Sequence, residues 1–180
     1  QLHYSPCDSI LDSPFTMPKG KYGIDADWSP KNSNNDYKGV VTMKYALAHS
    51  INTVSAKLIN EVGPKAVVDL THKLGVKSDI PEQPAIALGA AEITVSDMVA
   101  AYSTFANKGV YVKPQVIVRI EDKNGVVLYQ ATPQTKDVLS KDIAYTVIKL
   151  LEAEGRVSAA SILKLDTVTD RSRLSINRGK

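Results

Sequence analysis

Serine chemistry is the catalytic option that the residues of this sequence leave open, and Ser50 and Asn52 form one candidate pair in the middle of a helical pattern. A serine hydroxyl beside a suitable base can take part in nucleophilic or proton-transfer chemistry. The pattern Ser-x-Asn is weak by itself, because it also occurs at Ser33–Asn35 and Ser175–Asn177. Its meaning therefore depends on the structure around each copy.

The segment around Ser50 has the pattern of a helix that begins near Thr42. Apolar residues recur at helical spacing from Met43 to Val62, and Thr42 can cap the first turn. Side chains two positions apart on a continuous helix point about 200° apart, so Ser50 and Asn52 could not serve one site there. If both residues act, the helix must break at Ser50 and leave two shorter helices around an exposed turn.

The remaining patterns predict a mainly helical α+β protein with one hairpin. Residues 1–41 are rich in turn formers and are predicted to form an ordered but irregular loop. Two further helices are predicted, one from Pro64 to Gly75 and one after Ser140 through Leu151. A third helix is capped by Thr94, and its predicted apolar face consists of Val95, Met98, Val99, Tyr102, Phe105 and Ala106. The predicted hairpin pairs Val116–Ile120 with Val126–Tyr129 around the turn Asn124-Gly125. No convincing pattern begins at Glu152.

Composition excludes several functional classes. The chain has 180 residues, 43% of them apolar and 23% charged, so disorder is not expected. The net charge of +3 is too small to suggest binding to nucleic acid, and no apolar run is long enough for a membrane span. A single cysteine and three scattered histidines predict no metal site, and no phosphate-binding glycine motif is present, so we expect no cofactor.

Several separated blocks of this sequence resemble the transpeptidase domain of class A penicillin-binding proteins. The family patterns W-x-P-x-N, G-x-V-T and A-L-x-x-S-x-N correspond to blocks found here in the same order. These blocks are Trp28–Asn32, Gly39–Thr42 and Ala46–Asn52, and the resemblance continues through Ala87–Val95 and Ala101–Gly109. The resemblance covers residues 1–150 and implies a partial serine β-lactamase/penicillin-binding transpeptidase fold, mainly its helical lobe plus one β-hairpin.

The resemblance also implies a function for the parent protein and roles for individual residues. Family members cross-link peptidoglycan stem peptides through a serine acyl-enzyme, and β-lactams acylate the same serine. Ser50 and Asn52 would be the catalytic S-x-N pair, with Asn52 also binding substrate and Trp28 a further candidate at the edge of the site. The parent would be anchored in the cytoplasmic membrane and act on its outer, periplasmic side, although this chain itself is not expected to touch the membrane.

This sequence departs from the family pattern at two motifs. No S-x-x-K precedes Ser50, so the nucleophile is not present at its expected place, and K-T-G occurs nowhere. We therefore interpret the chain as a central fragment that is inactive alone. Residues 151–180 form a tail that does not align with the family, which a shifted reading frame would explain. Its formal S-x-x-K at Ser161–Lys164 is attributed to coincidence.

Two other functional classes remain open at this point. A non-catalytic binding or structural protein could retain the helical lobe without the chemistry, and the missing motifs are compatible with it. A serine β-lactamase or D,D-carboxypeptidase relative would share the fold. The long match through residues 87–114 favours the class A synthases over this second alternative.

Overall fold

The structure is a computed structural model that describes residues 4–166, and from Ser158 onward it describes the helical backbone only. Its described part contains five α-helices and six short strands. In chain order they are β1 (Ser9–Asp12), β2 (Gly39–Thr42), α1 (Met43–Ala48), α2 (Asn52–Val62), α3 (Pro64–Lys73), α4 (Val95–Ala106), β3 (Val110–Val112), β4 (Arg119–Glu121), β5 (Val127–Gln130), β6 (Thr135–Asp137) and α5 (Lys141–Asp166). Two short 3₁₀ turns lie at Lys21–Gly23 and Pro84–Leu88.

The strands form three separate antiparallel pairs, of which the sequence predicted one. β4 and β5 make the expected hairpin, in which Asp122 accepts hydrogen bonds from the backbone N–H groups of Asn124 and Val126. β1 pairs with β2, and β3 pairs with β6. The prediction that residues 1–41 lack regular structure is therefore wrong for β1 and the start of β2. Each is a short strand whose partner lies far along the chain, so neither carries a local hairpin signal.

The helices begin and end largely where the sequence predicts. Thr42 caps α1 by accepting a hydrogen bond from the N–H of Tyr45, and Thr94 caps α4 in the same way through Asp97. The carboxylate of Asp97 does not bond back to the N–H of Thr94, which donates to Oγ of Ser78 at 3.4 Å. It accepts hydrogen bonds instead from the N–H groups of Lys77 and Ser78, which ties α4 to the preceding loop.

Two clusters of packed apolar residues are formed by the described part of the chain. One contains Ala46, Ile51 and Val54, with Ile10, Val41 and Leu58 packed against it, and it joins the β1–β2 pair to α1 and α2. The other lies between α3, α4 and the segment that links them, and it contains Val68, Leu74, Val76, Ile80 and Ala101. The first cluster is the one that lies beneath Ser50.

The buried side of α4 is not the apolar face that the sequence predicted. Ala100, Ala101 and Thr104 are the buried residues of this helix. Val95, Val99 and Tyr102 are 80%, 60% and 51% exposed, although they lie at helical spacing on one face. Small residues allow α4 to pack closely on its neighbours, and Val95, Val99 and Tyr102 remain exposed, whereas Phe105 is half-buried against the cluster of α3 and α4.

The last helix extends beyond the predicted element. α5 packs against α1 and α4 and continues from Leu151 to Asp166. The part of the predicted tail from residue 167 onward lies outside the described residues. None of the helices in residues 4–166 combines the length and apolar composition that crossing a membrane requires.

The turn after α4 depends on a glycine. Gly109 has a φ of +88°, and a Cβ placed there would lie 2.2 Å from the carbonyl oxygen of Leu139. Gly125 in the β4–β5 turn has a similar φ of +83° but nothing within 4 Å of the same position. An alanine at Gly125 would therefore meet only the cost of a left-handed backbone, whereas an alanine at Gly109 would also overlap with Leu139.

We expect Gly109→Ala to be much more destabilising than Gly125→Ala. Gly125→Ala should lower the free energy of unfolding by about 1–2 kcal/mol, the cost of a left-handed residue with a side chain. Gly109→Ala should lower the free energy of unfolding by the same amount and by about 1–3 kcal/mol more, because its Cβ overlaps with Leu139. Urea unfolding followed by circular dichroism measures both values, and equal losses would show that the close approach to Leu139 is unimportant.

Candidate active site

The helical pattern from Met43 to Val62 is broken at Ser50, as is needed for Ser50 and Asn52 to reach one site. α1 ends at Ala48 and α2 begins at Asn52. Ser50 has a φ of +49°, a left-handed conformation that is uncommon for a residue with a side chain. The N–H groups of Ser50 and Ile51 donate to the carbonyls of Leu47 and Ala46, each at 3.0 Å, which satisfies the end of α1. The predicted condition for joint action is met.

Ser50 and Asn52 line the same cavity. The cavity has a volume of about 390 Å³ and lies between α1, α2, α4 and α5. Ser50 is exposed at its edge and Asn52 is half-buried. The other lining residues are Ala46, Leu47, Ser55, Ala87, Leu88, Tyr102, Leu151 and Glu154. The break in the helix thus brings a hydroxyl and a carboxamide to one cleft with a largely apolar wall.

A backbone hydrogen bond determines how the carboxamide of Asn52 is oriented. Its Nδ2 donates to the carbonyl oxygen of Lys31 at 2.8 Å. The amide nitrogen is thereby turned toward the loop that carries Lys31. The carbonyl oxygen Oδ1 of the same side chain is the group that can accept a hydrogen bond from a substrate amide.

A buried polar cluster lies directly behind this pair, and sequence reasoning missed it. Asp12, Asn32 and Thr53 are 1%, 8% and 0% exposed. Nδ2 of Asn32 and Oγ1 of Thr53 both donate to Oδ1 of Asp12. Oδ2 of Asp12 accepts from the N–H of Lys38 at 2.8 Å. Asn32 belongs to the W-x-P-x-N block, but nothing in the sequence indicates that Asp12 and Thr53 are its partners.

The environment of Asp12 favours its charged form. Burial by itself raises the pKa of this carboxyl group, but the hydrogen bonds from Thr53, the N–H of Lys38 and Asn32, together with the nearby charge of Lys57, outweigh burial and hold the pKa below its usual value. A carboxylate that accepts three hydrogen bonds is the state that this cluster stabilises.

Trp28 lies apart from the cavity that Ser50 and Asn52 share. It is half-buried, and its backbone forms an isolated antiparallel bridge with Met17, with hydrogen bonds of 2.9 Å in both directions. It is not among the residues that line the 390 Å³ cavity. The structure therefore brings Ser50 and Asn52 together but does not place Trp28 beside them.

The Ser-x-x-Lys and Ser-x-Asn patterns near the end of the chain are not defined structurally as a site. Ser161–Lys164 falls on the part of α5 for which only the backbone is described, and Ser175–Asn177 lies outside the described residues. The first Ser-x-Asn pattern, Ser33–Asn35, lies in the turn beside Asn32, where Asn35 donates its N–H to the carbonyl of Asn32.

The sequence of most of the chain matches one protein family. The family model described as "Penicillin binding protein transpeptidase domain" matches residues 8–164. The chain belongs to this family. The match includes β1, both helices at the break and the described cavity residues, and it confirms the resemblance found in the separated sequence blocks.

Individual relatives agree with this assignment. Penicillin-binding protein 1A of Aquifex aeolicus is 40% identical over 140 residues, which are 76% of this chain and 19% of that protein. Penicillin-binding protein 1A of Pseudomonas aeruginosa is 39% identical over 111 residues, or 61% of this chain and 14% of that protein. This transpeptidase chain thus spans about a fifth or less of the length of these two relatives.

Solved structures share the fold. Penicillin-Binding Protein 1A from Haemophilus influenzae superposes with a TM-score of 0.75 at 24% identity, covering 83% of this chain and 27% of that chain. The PonA1 protein from Mycobacterium tuberculosis, solved in complex with penicillin V, has a TM-score of 0.64 at 27% identity. The match covers 77% of this chain and 39% of that chain. The expectation of a partial penicillin-binding transpeptidase fold is confirmed.

The lowered pKa of Asp12 predicts how the stability of the chain depends on pH. Because the folded pKa lies below the unfolded value of about 3.9, the stabilisation is complete above that value and is lost as pH falls through the folded pKa. Asp12→Asn removes this titration. We expect the difference in unfolding free energy between the chain and Asp12→Asn to be constant above about pH 5 and to shrink below about pH 4.

Urea unfolding at a series of pH values measures this difference. Asp36→Asn is a matched control, because Asp36 also has a lowered pKa but is exposed and held by Lys38 at the surface. It should give a much smaller difference at neutral pH. A difference for Asp12→Asn that stays constant down to pH 2.5 would contradict a lowered pKa at Asp12.

Proposed function

We propose that this chain is the part of a peptidoglycan D,D-transpeptidase that supplies the S-x-N residues of its active site. The observation that carries the proposal is the break at Ser50, which brings Ser50 and Asn52 to one cavity. An unbroken helix would point them in different directions. Membership of the penicillin-binding transpeptidase family supports the interpretation of this cavity as part of a transpeptidase active site.

The two residues have different roles in the proposed reaction. The hydroxyl of Ser50 relays a proton between the catalytic lysine of the complete site and the leaving amine, accepting one proton as it gives another. Asn52 uses Oδ1 to accept a hydrogen bond from the substrate amide, because its Nδ2 is already bound to Lys31. Trp28 stays a candidate for the edge of the site, with weaker support because it does not line the cavity.

The proposed partners follow from the family. They are the stem peptides of peptidoglycan and the β-lactams that mimic them, and PonA1 was solved in complex with penicillin V. We place the complete protein at the outer, periplasmic face of the cytoplasmic membrane, where peptidoglycan is assembled.

The chain alone is proposed to be inactive. Neither an S-x-x-K before Ser50 nor a K-T-G is present, and these are the motifs that supply the nucleophile, the base and a strand of the site in this family. The exposed face of α4 agrees with an incomplete domain, because Val95, Val99 and Tyr102 have the spacing of a buried stripe. We infer that the remainder of the transpeptidase domain covers this face.

The first test is the intact mass of the purified chain before and after incubation with benzylpenicillin. We expect no adduct, because no S-x-x-K motif, whose serine β-lactams acylate in this family, precedes Ser50. A stoichiometric adduct would contradict the proposal that the chain lacks a nucleophile. Loss of such an adduct in Ser161→Ala would identify Ser161 as the nucleophile and overturn the interpretation of residues 161–164 as a coincidence.

The second test asks whether Ser50 acts in a complete site. A hybrid transpeptidase is made by replacing the matching segment of Aquifex aeolicus penicillin-binding protein 1A with residues 8–164. We expect Ser50→Ala to slow acylation by benzylpenicillin at least about 100-fold, as loss of a proton-transferring group does. Ser55→Ala is the control, because Ser55 lines the same cavity but its hydroxyl donates to the carbonyl of Ile51.

Ser55→Ala should change the acylation rate less than about threefold, since the Ser55 hydroxyl bonds to the backbone of the same helix region and transfers no proton in the proposed reaction. Equal rates in Ser50→Ala and Ser55→Ala would contradict the role of Ser50. The unsubstituted hybrid serves as the reference for both variants, and circular dichroism establishes that all three have the same secondary structure.

A further inference from the structure

We propose that Asp12, Asn32 and Thr53 act as positioning residues that hold the carboxamide of Asn52 in its reactive orientation. This inference rests on the proposed function, because it assigns Asn52 a substrate to bind. None of the three residues lines the 390 Å³ cavity, so they would act on Asn52 through the hydrogen bonds that join them to α2 and to the loop of Lys31. Two of them are sequence neighbours of the pair joined by the hydrogen bond between Asn52 and Lys31. Asn32 follows Lys31, and Thr53 follows Asn52.

The first step of the argument is the way in which α2 begins. The residue before the helix is Ile51, whose apolar side chain makes no capping hydrogen bond. The first N–H groups of a helix need partners from outside the helix. The N–H of Thr53, in the first turn, donates to Oδ1 of Asn32 at 3.2 Å, which lies 21 residues earlier in the chain. A remote loop thus caps the helix that carries Asn52.

The second step is the double attachment between the loop and the helix. Nδ2 of Asn52 donates to the carbonyl of Lys31, and the next N–H along the helix donates to the side chain of Asn32. Adjacent residues of one segment are bonded to adjacent residues of the other. If the loop shifts, the partner of Nδ2 moves and the direction of Oδ1 changes with it.

The third step is the buried carboxylate that holds both segments. Oδ1 of Asp12 accepts from Nδ2 of Asn32 at 2.9 Å and from Oγ1 of Thr53, so one atom connects the loop to α2. Asn32 is fixed further by donating to the carbonyl of Asp36 at 2.9 Å. Negative charge beside the first turn of a helix is also favourable. Because every described member is hydrogen-bonded and nearly fully buried, the cluster has little freedom to adjust.

A purely structural role would look different from a positioning role, and Thr104 provides the comparison. Thr104 is 1% exposed and its hydroxyl donates within α4 to the carbonyl of Ala100 at 3.1 Å. Thr53 is equally buried, but its hydroxyl reaches Asp12. Thr53→Val and Thr104→Val both remove one buried hydroxyl and keep a side chain of similar size. Only Thr53→Val should alter Asn52.

The direct measurement is the side-chain amide signal of Asn52 in the nitrogen–proton correlation spectrum of the full chain. Its loss in Asn52→Asp identifies the signal. We expect Thr53→Val to shift this signal and to speed its hydrogen exchange about fivefold, the effect of weakening one hydrogen bond. Thr53→Ser should restore the exchange rate to within about twofold of the original, and Thr104→Val should leave it there. Equal spectra of Asn52 in Thr53→Val and Thr104→Val would overturn the proposal.

The functional measurement uses the hybrid transpeptidase, and it does not require the chain to fold by itself. We expect Thr53→Val to slow acylation by benzylpenicillin about tenfold, with Thr53→Ser recovering most of the rate, because misplacement of a catalytic group costs rate rather than fold. Thr104→Val should match the unsubstituted hybrid in rate even if both valine variants melt at the same lowered temperature.

The two proposals fail in different ways. If Asn52→Ala and Ser50→Ala slow acylation while Thr53→Val equals Thr104→Val, the positioning role is wrong and the proposed function stands. If Ser50→Ala and Asn52→Ala do not slow acylation, the proposed function is wrong. The orientation of Asn52 then has no role in catalysis, and the positioning role is wrong as well. A decrease in rate for Thr53→Val that Thr53→Ser reverses supports both.

Discussion

The arrangement of this site depends on a single backbone constraint, the left-handed turn at Ser50. A φ of +49° at a residue with a side chain costs about 1–2 kcal/mol relative to continuing the helix. The flanking contacts must outweigh that cost. Ala46 before the turn, and Ile51 and Val54 after it, are all buried in one apolar cluster with β1 and β2. A continuous helix would rotate one side of this set out of the core.

Apolar burial explains why the turn forms, but it does not explain the direction of the polar groups. The hydrophobic effect is non-directional, whereas hydrogen bonds require a particular geometry. Asp12, Asn32 and Thr53 provide that geometry, and Lys57 adds a further connection by donating from α2 to the carbonyl of Leu11 and the hydroxyl of Ser13. β1 therefore serves both sets of contacts. Its apolar Ile10 packs under the turn, and its terminal Asp12 accepts the hydrogen bonds behind it.

Much of the fold could be predicted from the sequence, because the signals are local. The caps at Thr42 and Thr94, the proline that begins α3 and the Asn-Gly turn of the β4–β5 hairpin each depend on residues within a few positions of one another. β1 and β2 could not be predicted in the same way, since 26 residues separate Asp12 from Lys38. The buried cluster has the same property. Each of its members is an ordinary polar residue until the fold brings the three together.

The site itself shows the same division between local and distant signals. Helical periodicity on both sides of Ser50 indicated that a break was needed for Ser50 and Asn52 to act together, and the structure contains this break. The same periodicity failed on α4, where Val95, Val99 and Tyr102 are exposed and small residues are buried. Periodicity reports which face of a helix is apolar, but not what covers it.

The geometry at Ser50 is nevertheless only part of what acyl transfer requires. A serine hydroxyl is a weak acid and a weak base, and it moves protons only between two partners of matched proton affinity. Asn52 can orient a substrate amide, but it neither accepts nor supplies a proton. In the proposed function, the cavity therefore holds a proton relay at Ser50 and a substrate-binding group at Asn52. That function requires a nucleophile and a base to be brought to the cavity, next to the exposed face of α4 that contributes Tyr102 to the cavity wall.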